Sequence, residues 1–167
     1  MAGWLWVYLL GYLPQTLLLM YASLGLAGLR TRLGRLVVPS LPLGLAALLL
    51  RQNLPIHWYV PAQLVTFTGG LILFRLASVL GALAASAIGF ILIALGDLLV
   101  VAPLIYRFNL DPAAVAQDWL TYVLLGSLEG IFVLAAAVAV RLGNLSLLPI
   151  SRWENVLDDR SERRDGR

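Results

Sequence analysis

The chain has 167 residues, 60% of them hydrophobic and only 13% charged, with no cysteine. A soluble domain of this size draws about a quarter of its residues from the charged set, so this composition excludes a soluble fold and points to a small integral membrane protein. Disulfides, thiol catalysis and thiolate metal sites are excluded as well.

The formal charge of +3 divides unevenly. Residues 1–150 carry seven Arg and four acids, hence +3, and residues 151–167 carry five of each, hence zero. Arginine flanking apolar segments accounts for the basic balance, so no nucleic-acid surface is expected. There is no lysine.

Charged residues partition the chain into five apolar segments. The first runs over about 4–29 and ends in "LRTRLGR", with Arg30, Arg32 and Arg35. It lacks a basic region ahead of the apolar run, so it reads as an N-out anchor and not as a cleavable signal peptide. The second covers about 36–50 and ends at Arg51; the third covers about 59–74 and ends at Arg75. Crossing a ~30 Å hydrocarbon core takes ~20 residues of helix, so these two are marginal. Either they span with snorkelling flanks or they form a re-entrant hairpin. The fourth, about 78–106, and the fifth, about 120–140, are long enough.

Charge and aromatic placement agree on five spans; the hairpin fits the arginines equally well but fits Trp58-Tyr59 less well, since that pair would then sit mid-membrane. With the N-terminus outside, Arg30, Arg32, Arg35, Arg75, Arg141 and the Arg-containing tail lie inside, as the positive-inside rule requires. Trp4, Trp6, Tyr8, Trp58, Tyr59, Tyr106, Phe108, Trp119 and Tyr122 then fall at the outer ends, where amphipathic rings favour the headgroup level. The expected fold is an all-α polytopic bundle of about five transmembrane helices, N-terminus outside and C-terminus inside. Residues 1–150 form the membrane domain and 151–167 a short cytoplasmic tail.

The connections are short. Asp111-Pro112 can begin a surface helix, and Ser151 and Glu154 have capping-box spacing. Trp153, Val156 and Leu157 can then lie on the membrane surface, and the remaining tail reads as disordered.

Two acids stand out against this background. Asp97 is the only charge between Arg75 and Arg107, and Glu129 the only charge between Asp118 and Arg141. Each lies nine residues from the outer end of its segment, which places both roughly 13–14 Å deep. An intramembrane carboxylate costs about 2.5–3.5 kcal/mol even on the mild insertion scale, so both should face the bundle interior. Two carboxylates at matched depth on adjacent antiparallel helices can share a proton, a cation or an arginine. The bland reading is a structural hydrogen bond between helices. Arg51 is the candidate cation, able to turn towards Asp97, Asp111 or Asp118; its alternative role is an interfacial anchor.

Small residues suggest how the acids meet. Gly81, Ala85, Gly89 and Gly96 are spaced for close packing on the fourth helix, and Gly126 and Gly130 form a GxxxG around Glu129. Packing within the monomer is favoured over a homodimer.

No chemistry of a cofactor or enzyme is legible. One imidazole, His57, makes no metal site. "GSLEG" is not G-x-S-x-G, and "ALGD" lacks the partner Asp of intramembrane aspartyl proteases. The expectation is no enzyme, no metal and no cofactor.

"LGLAGLRTRLGRLVVPSLPLGLAALLLRQNLPIHWYVPAQLV" (24–65) and "FILIALGDLLVVAPLIYRFNLDP" (90–112) resemble the N-terminal membrane region of sensor histidine kinases of Gram-positive bacteria. The resemblance covers about 24–135, and Arg51, Pro55, His57, Gly96 and Asp97 match its marked positions. It implies a bacterial cell-membrane protein that senses a signal. The chain as given departs from that pattern, carrying neither a phosphoacceptor helix nor an ATP-binding domain, so it is expected to act through a cytoplasmic partner.

The leading functional expectation is a non-catalytic membrane sensor or regulatory subunit. The alternative is a small proton- or cation-coupled transporter, or the membrane subunit of one. Against the alternative stand the lack of an inverted repeat and of matched broken helices, although Pro39 and Pro42 can break the second helix. A scaffold without a ligand is the third option.

Overall fold

The computed structural model describes residues 5–111, 115, 118–143 and 145–148. Among them every regular element is helical, with no strand. Helix α1 spans Val7–Leu26, α2 Leu33–Asn53, α3 Ile56–Leu73, α4 Val79–Arg107, α5 Trp119–Glu129 and α6 Ile131–Gly143.

Helices α1, α2 and α4, of 20, 21 and 29 residues, are each long and apolar enough to cross a membrane. The α5–α6 pair makes a fourth if its two halves count as one span, bent by 44°. Helix α3 is not among them; its 18 residues include His57, Pro61 and Gln63. The second segment is longer than its strictly apolar core, because α2 takes in Gly34-Arg35 at one end and Arg51–Asn53 at the other.

Prolines do not break α2, whose helix continues through Pro39 and Pro42. They act elsewhere. A proline removes one intrahelical hydrogen bond, and its ring crowds the carbonyl four residues back. Widening that turn relieves the crowding, and both π-helical turns among the described residues sit where this is needed. Val7–Tyr12 precedes Pro14, and Asp97–Val101 precedes Pro103. The carbonyls crowded by these rings, those of Leu10 and Leu99, lie inside the two π-turns.

Helix ends are stopped locally. Helices α1, α3 and α4 finish with a left-handed residue, Gly28 (φ 83°), Arg75 (φ 53°) and Asn109 (φ 48°). In each, the next amide donates to the carbonyl five residues back: Leu29 N to Leu24 O, Leu76 N to Leu71 O, and Leu110 N to Ile105 O. This pairing satisfies carbonyls the helix leaves open. Pro55 separates α2 from α3. Ser78 caps α4 through the Gly81 amide at 3.1 Å, and Asp118 caps α5 through the Leu120 and Thr121 amides.

The interior is divided along the helix axes. The buried apolar cluster joins Met20, Leu24, Leu36, Leu71, Ala82 and Val133. These come from the last half of α1, the first half of α2, the last half of α3, the first half of α4 and α6. One end of the bundle is therefore packed. Hydroxyls buried there find partners, as in Thr68 Oγ1 donating to Ser86 Oγ at 2.8 Å between α3 and α4.

Helix α1 is the hub, touching α2, α4 and α6. A methyl group on Gly25 would run into the side chain of Val140 on α6, so these two helices touch closely. After α6 the chain returns to the same place. The amides of Leu147 and Leu148 donate to the Leu26 carbonyl at 2.7 and 3.1 Å.

Four exposed aromatics lie at the opposite end, Trp6 and Trp58 near the starts of α1 and α3 and Tyr106 and Phe108 at the end of α4, while Phe74 is exposed at the packed end. Arg30, Arg32, Arg35, Arg75 and Arg141 flank the packed end. Trp4, the surface helix expected after Asp111-Pro112 and the Ser151–Glu154 cap lie outside the described residues.

Candidate functional site

The end opposite the packed core is hollow. A cavity of about 360 Å³ opens there, lined by the first half of α1, the last turns of α2, the start of α3, the second half of α4 and all but the beginning of α5. Its charged lining residues are Arg51, Asp97 and Glu129. Sequence spacing placed the two acids at one depth, and the fold puts them in one space. They act electrostatically on each other, and Arg51 acts on both.

Each charge is positioned by a distinct local device. Asp97 opens the π-turn of α4, directly after a close contact of Gly96 with α5. A methyl at Gly96 would collide with the carbonyl oxygen, carbonyl carbon and Cα of Glu129. Glu129 is the last residue of α5, where Gly130 breaks the span. Arg51 comes from the last turn of α2, and its guanidinium carbon lies 5.1 Å from the centre of the Tyr59 ring.

Polar neutral groups complete the lining. Tyr12 and Tyr122 share a hydrogen bond of 2.7 Å between their hydroxyls, with ring centres 6.5 Å apart and nearly parallel. Gln15, Thr16 and Gln63 also face the space. The side-chain oxygen of Gln63 is buried and has no hydrogen-bond partner. A buried acceptor left unpaired costs free energy, so a donor entering the cavity has a place to bind.

The small residues divide by position. Gly81, Ala85, Gly89 and Gly96 are all buried on one stripe of α4, and Gly89 sits against Leu19 of α1. On α5, Gly126 lines the cavity and a methyl there would meet nothing within 4 Å. Gly130 marks the break. The GxxxG spacing around Glu129 therefore describes an open wall and a hinge, while the close contact is made by the Glu129 backbone itself. Close approaches at Gly25 and Gly70 have no distinctive spacing in the sequence.

Tyr59 and Tyr122, expected in the interfacial belt, line the cavity instead. Tyr12, Gln15 and Gln63 are further lining residues that charge and spacing left unmarked. Their signal was a hydroxyl or amide inside an apolar run. Asp118, considered as a partner for Arg51, is engaged in its cap. His57 is exposed beside Trp58. Among the described residues no group of three or more His, Cys, Asp or Glu is arranged to hold a metal ion.

The arrangement can accept a small molecule or ion from one end of the bundle and hold it against two carboxylates. The chain matches no protein-family model, no curated protein and no solved structure.

Proposed function

We propose that the chain is a five-span protein of the cell membrane, N-terminus outside and C-terminus inside, that works as a non-catalytic sensor or regulatory subunit. One observation carries this reading: the bundle is packed at one end and hollow at the other, with Asp97 and Glu129 inside the hollow. The Arg-flanked packed end faces the cytoplasm by the positive-inside rule, so the cavity faces outward. An occupant touching Glu129 presses on the end of α5. Across the 44° bend at Gly130, α6 is held to α1 through Val140 and Gly25. The amides of Leu147 and Leu148 fasten the following segment to Leu26. A change in the bend thus reaches the C-terminal segment, where a cytoplasmic partner reads it. The mechanism requires an occupant that binds two bend angles unequally.

The absence of cysteine makes the test direct. Spin labels at Leu124→Cys and Leu142→Cys, both on exposed positions, report the distance across the bend. The sensor reading requires that distance to change when Asp97→Asn and Glu129→Gln are combined. An identical distance distribution in both proteins rejects it.

The carrier reading has one observation of its own in its favour. Against expectation, α5–α6 is broken and α4 is widened, both at the carboxylates, and discontinuous helices at mid-membrane binding sites mark carriers. Proteoliposomes showing cation flux that depends on Asp97 and Glu129 would select the carrier; silence under an imposed gradient selects the sensor.

A further inference from the structure

We propose that the cavity binds an organic monocation, with its ammonium group between Asp97 and Glu129 and its apolar body against the tyrosines. The proposal rests on the reading of the cavity as a ligand site and names the ligand class.

Charge comes first. Two carboxylates and one guanidinium line the space, so the formal sum is −1. The arginine is engaged beside Tyr59. Two sources of negative potential thus line one space. One positive charge balances the set.

Size and lining then separate an organic cation from a bare ion. Among the described residues no metal-type cluster is present. A volume of about 360 Å³ falls in the ~300–1,000 Å³ range of small-molecule sites. Tyr12, Tyr59, Tyr122 and Phe90 present ring surface, and aromatic faces attract alkylammonium groups. Ile93 and Val101 offer aliphatic contact for the body. The unpartnered Gln63 oxygen supplies an acceptor for an ammonium N–H.

The competing occupant is a proton. If one acid is simply protonated, the cavity is already neutral and has no preference for a cation over a neutral molecule of the same shape. A matched set of probes decides this on the unmodified full chain, purified in detergent and followed by thermal unfolding with tryptophan fluorescence. The probes are 2-phenylethylammonium, its neutral isostere 2-phenylethanol, and 3-phenylpropanoate. The expected result is a saturable rise in unfolding midpoint with the ammonium alone. Asp97→Asn and Glu129→Gln, tested singly, each weaken that binding about tenfold or more, the effect of losing a charge-assisted contact.

Equal stabilisation by 2-phenylethanol overturns the cation class but leaves a ligand cavity standing. Preference for 3-phenylpropanoate also overturns it and moves recognition to Arg51. Binding of none of the three overturns the cation class and the ligand-site reading together. Should one acid variant fail to fold, the probe comparison on the unmodified chain and the other variant still decide.

Discussion

Gly96 lies directly against the Glu129 carbonyl, leaving no room for a methyl group between α4 and the end of α5. The obstacle is backbone, which cannot step aside as a flexible side chain can. Overpacking of this kind costs about 1–3 kcal/mol, and Gly96→Ala should fall at the top of that range. Gly126→Ala, facing open space, should leave stability unchanged. Thermal unfolding of the two variants in one detergent tests the contrast, and equal midpoints would refute the close contact.

The Tyr12–Tyr122 pair ties α1 to α5 across the mouth of the cavity. Each Tyr→Phe substitution should cost about 1 kcal/mol by leaving the other hydroxyl without its partner. The double substitution should cost clearly less than the sum, because both halves of the bond are gone. Additive losses in a double-mutant cycle would show that the two hydroxyls do not interact.

Pro103 explains the wide turn that begins at Asp97. Pro103→Ala restores the missing amide and removes the ring, so an ordinary helix becomes available. Shifting one residue out of a helical turn rotates what precedes it by about 100°, enough to turn position 97 off the cavity. Asp97→Cys should react readily with a water-soluble thiol reagent, and adding Pro103→Ala should slow that reaction several-fold. An unchanged labelling rate would mean that the turn does not depend on the proline.

Asp118 starts α5 by accepting hydrogen bonds from the Thr121 hydroxyl and from the Leu120 and Thr121 amides. The Thr121 hydroxyl, against an opposing effect of desolvation and with help from the two amides, holds its carboxyl below the ordinary value of 3.8. A carboxyl depressed on folding stabilises the fold fully above its ordinary value. The contribution is lost as the pH falls through the lower folded-state value. Amide exchange at the start of α5 should therefore be protected at neutral pH and speed up under strong acid. Asp118→Ala should speed it at neutral pH and abolish that acid dependence; protection unaffected by the substitution would remove Asp118 as the cap.

Composition and spacing made much of this molecule legible. Apolar runs bounded by arginine gave the helices to within a few residues, because the bilayer requires about 20 residues of unbroken backbone pairing. The same pattern gave Asp97 and Glu129 a common depth, since helical rise converts position into distance. Helices long and apolar enough to cross a membrane therefore follow from the sequence alone.

Tertiary structure decided what the two acids turn towards. Periodicity cannot tell a packed interface from an empty wall, since both are lined by small or polar residues on the inward face. Thus Gly96 and Gly126 look equivalent in sequence, yet one is pressed against backbone and the other borders open space. Tyr59 and Tyr122 have the positions of a belt, and only the packing of the helices shows that they line the cavity. Pro103 and Gly130 are visible as residues, but their work is geometric: one widens a helix and the other breaks it, and the two distortions meet at the carboxylates. Sequence fixes what each position is; which surfaces close on each other depends on contacts among helices distant along the chain.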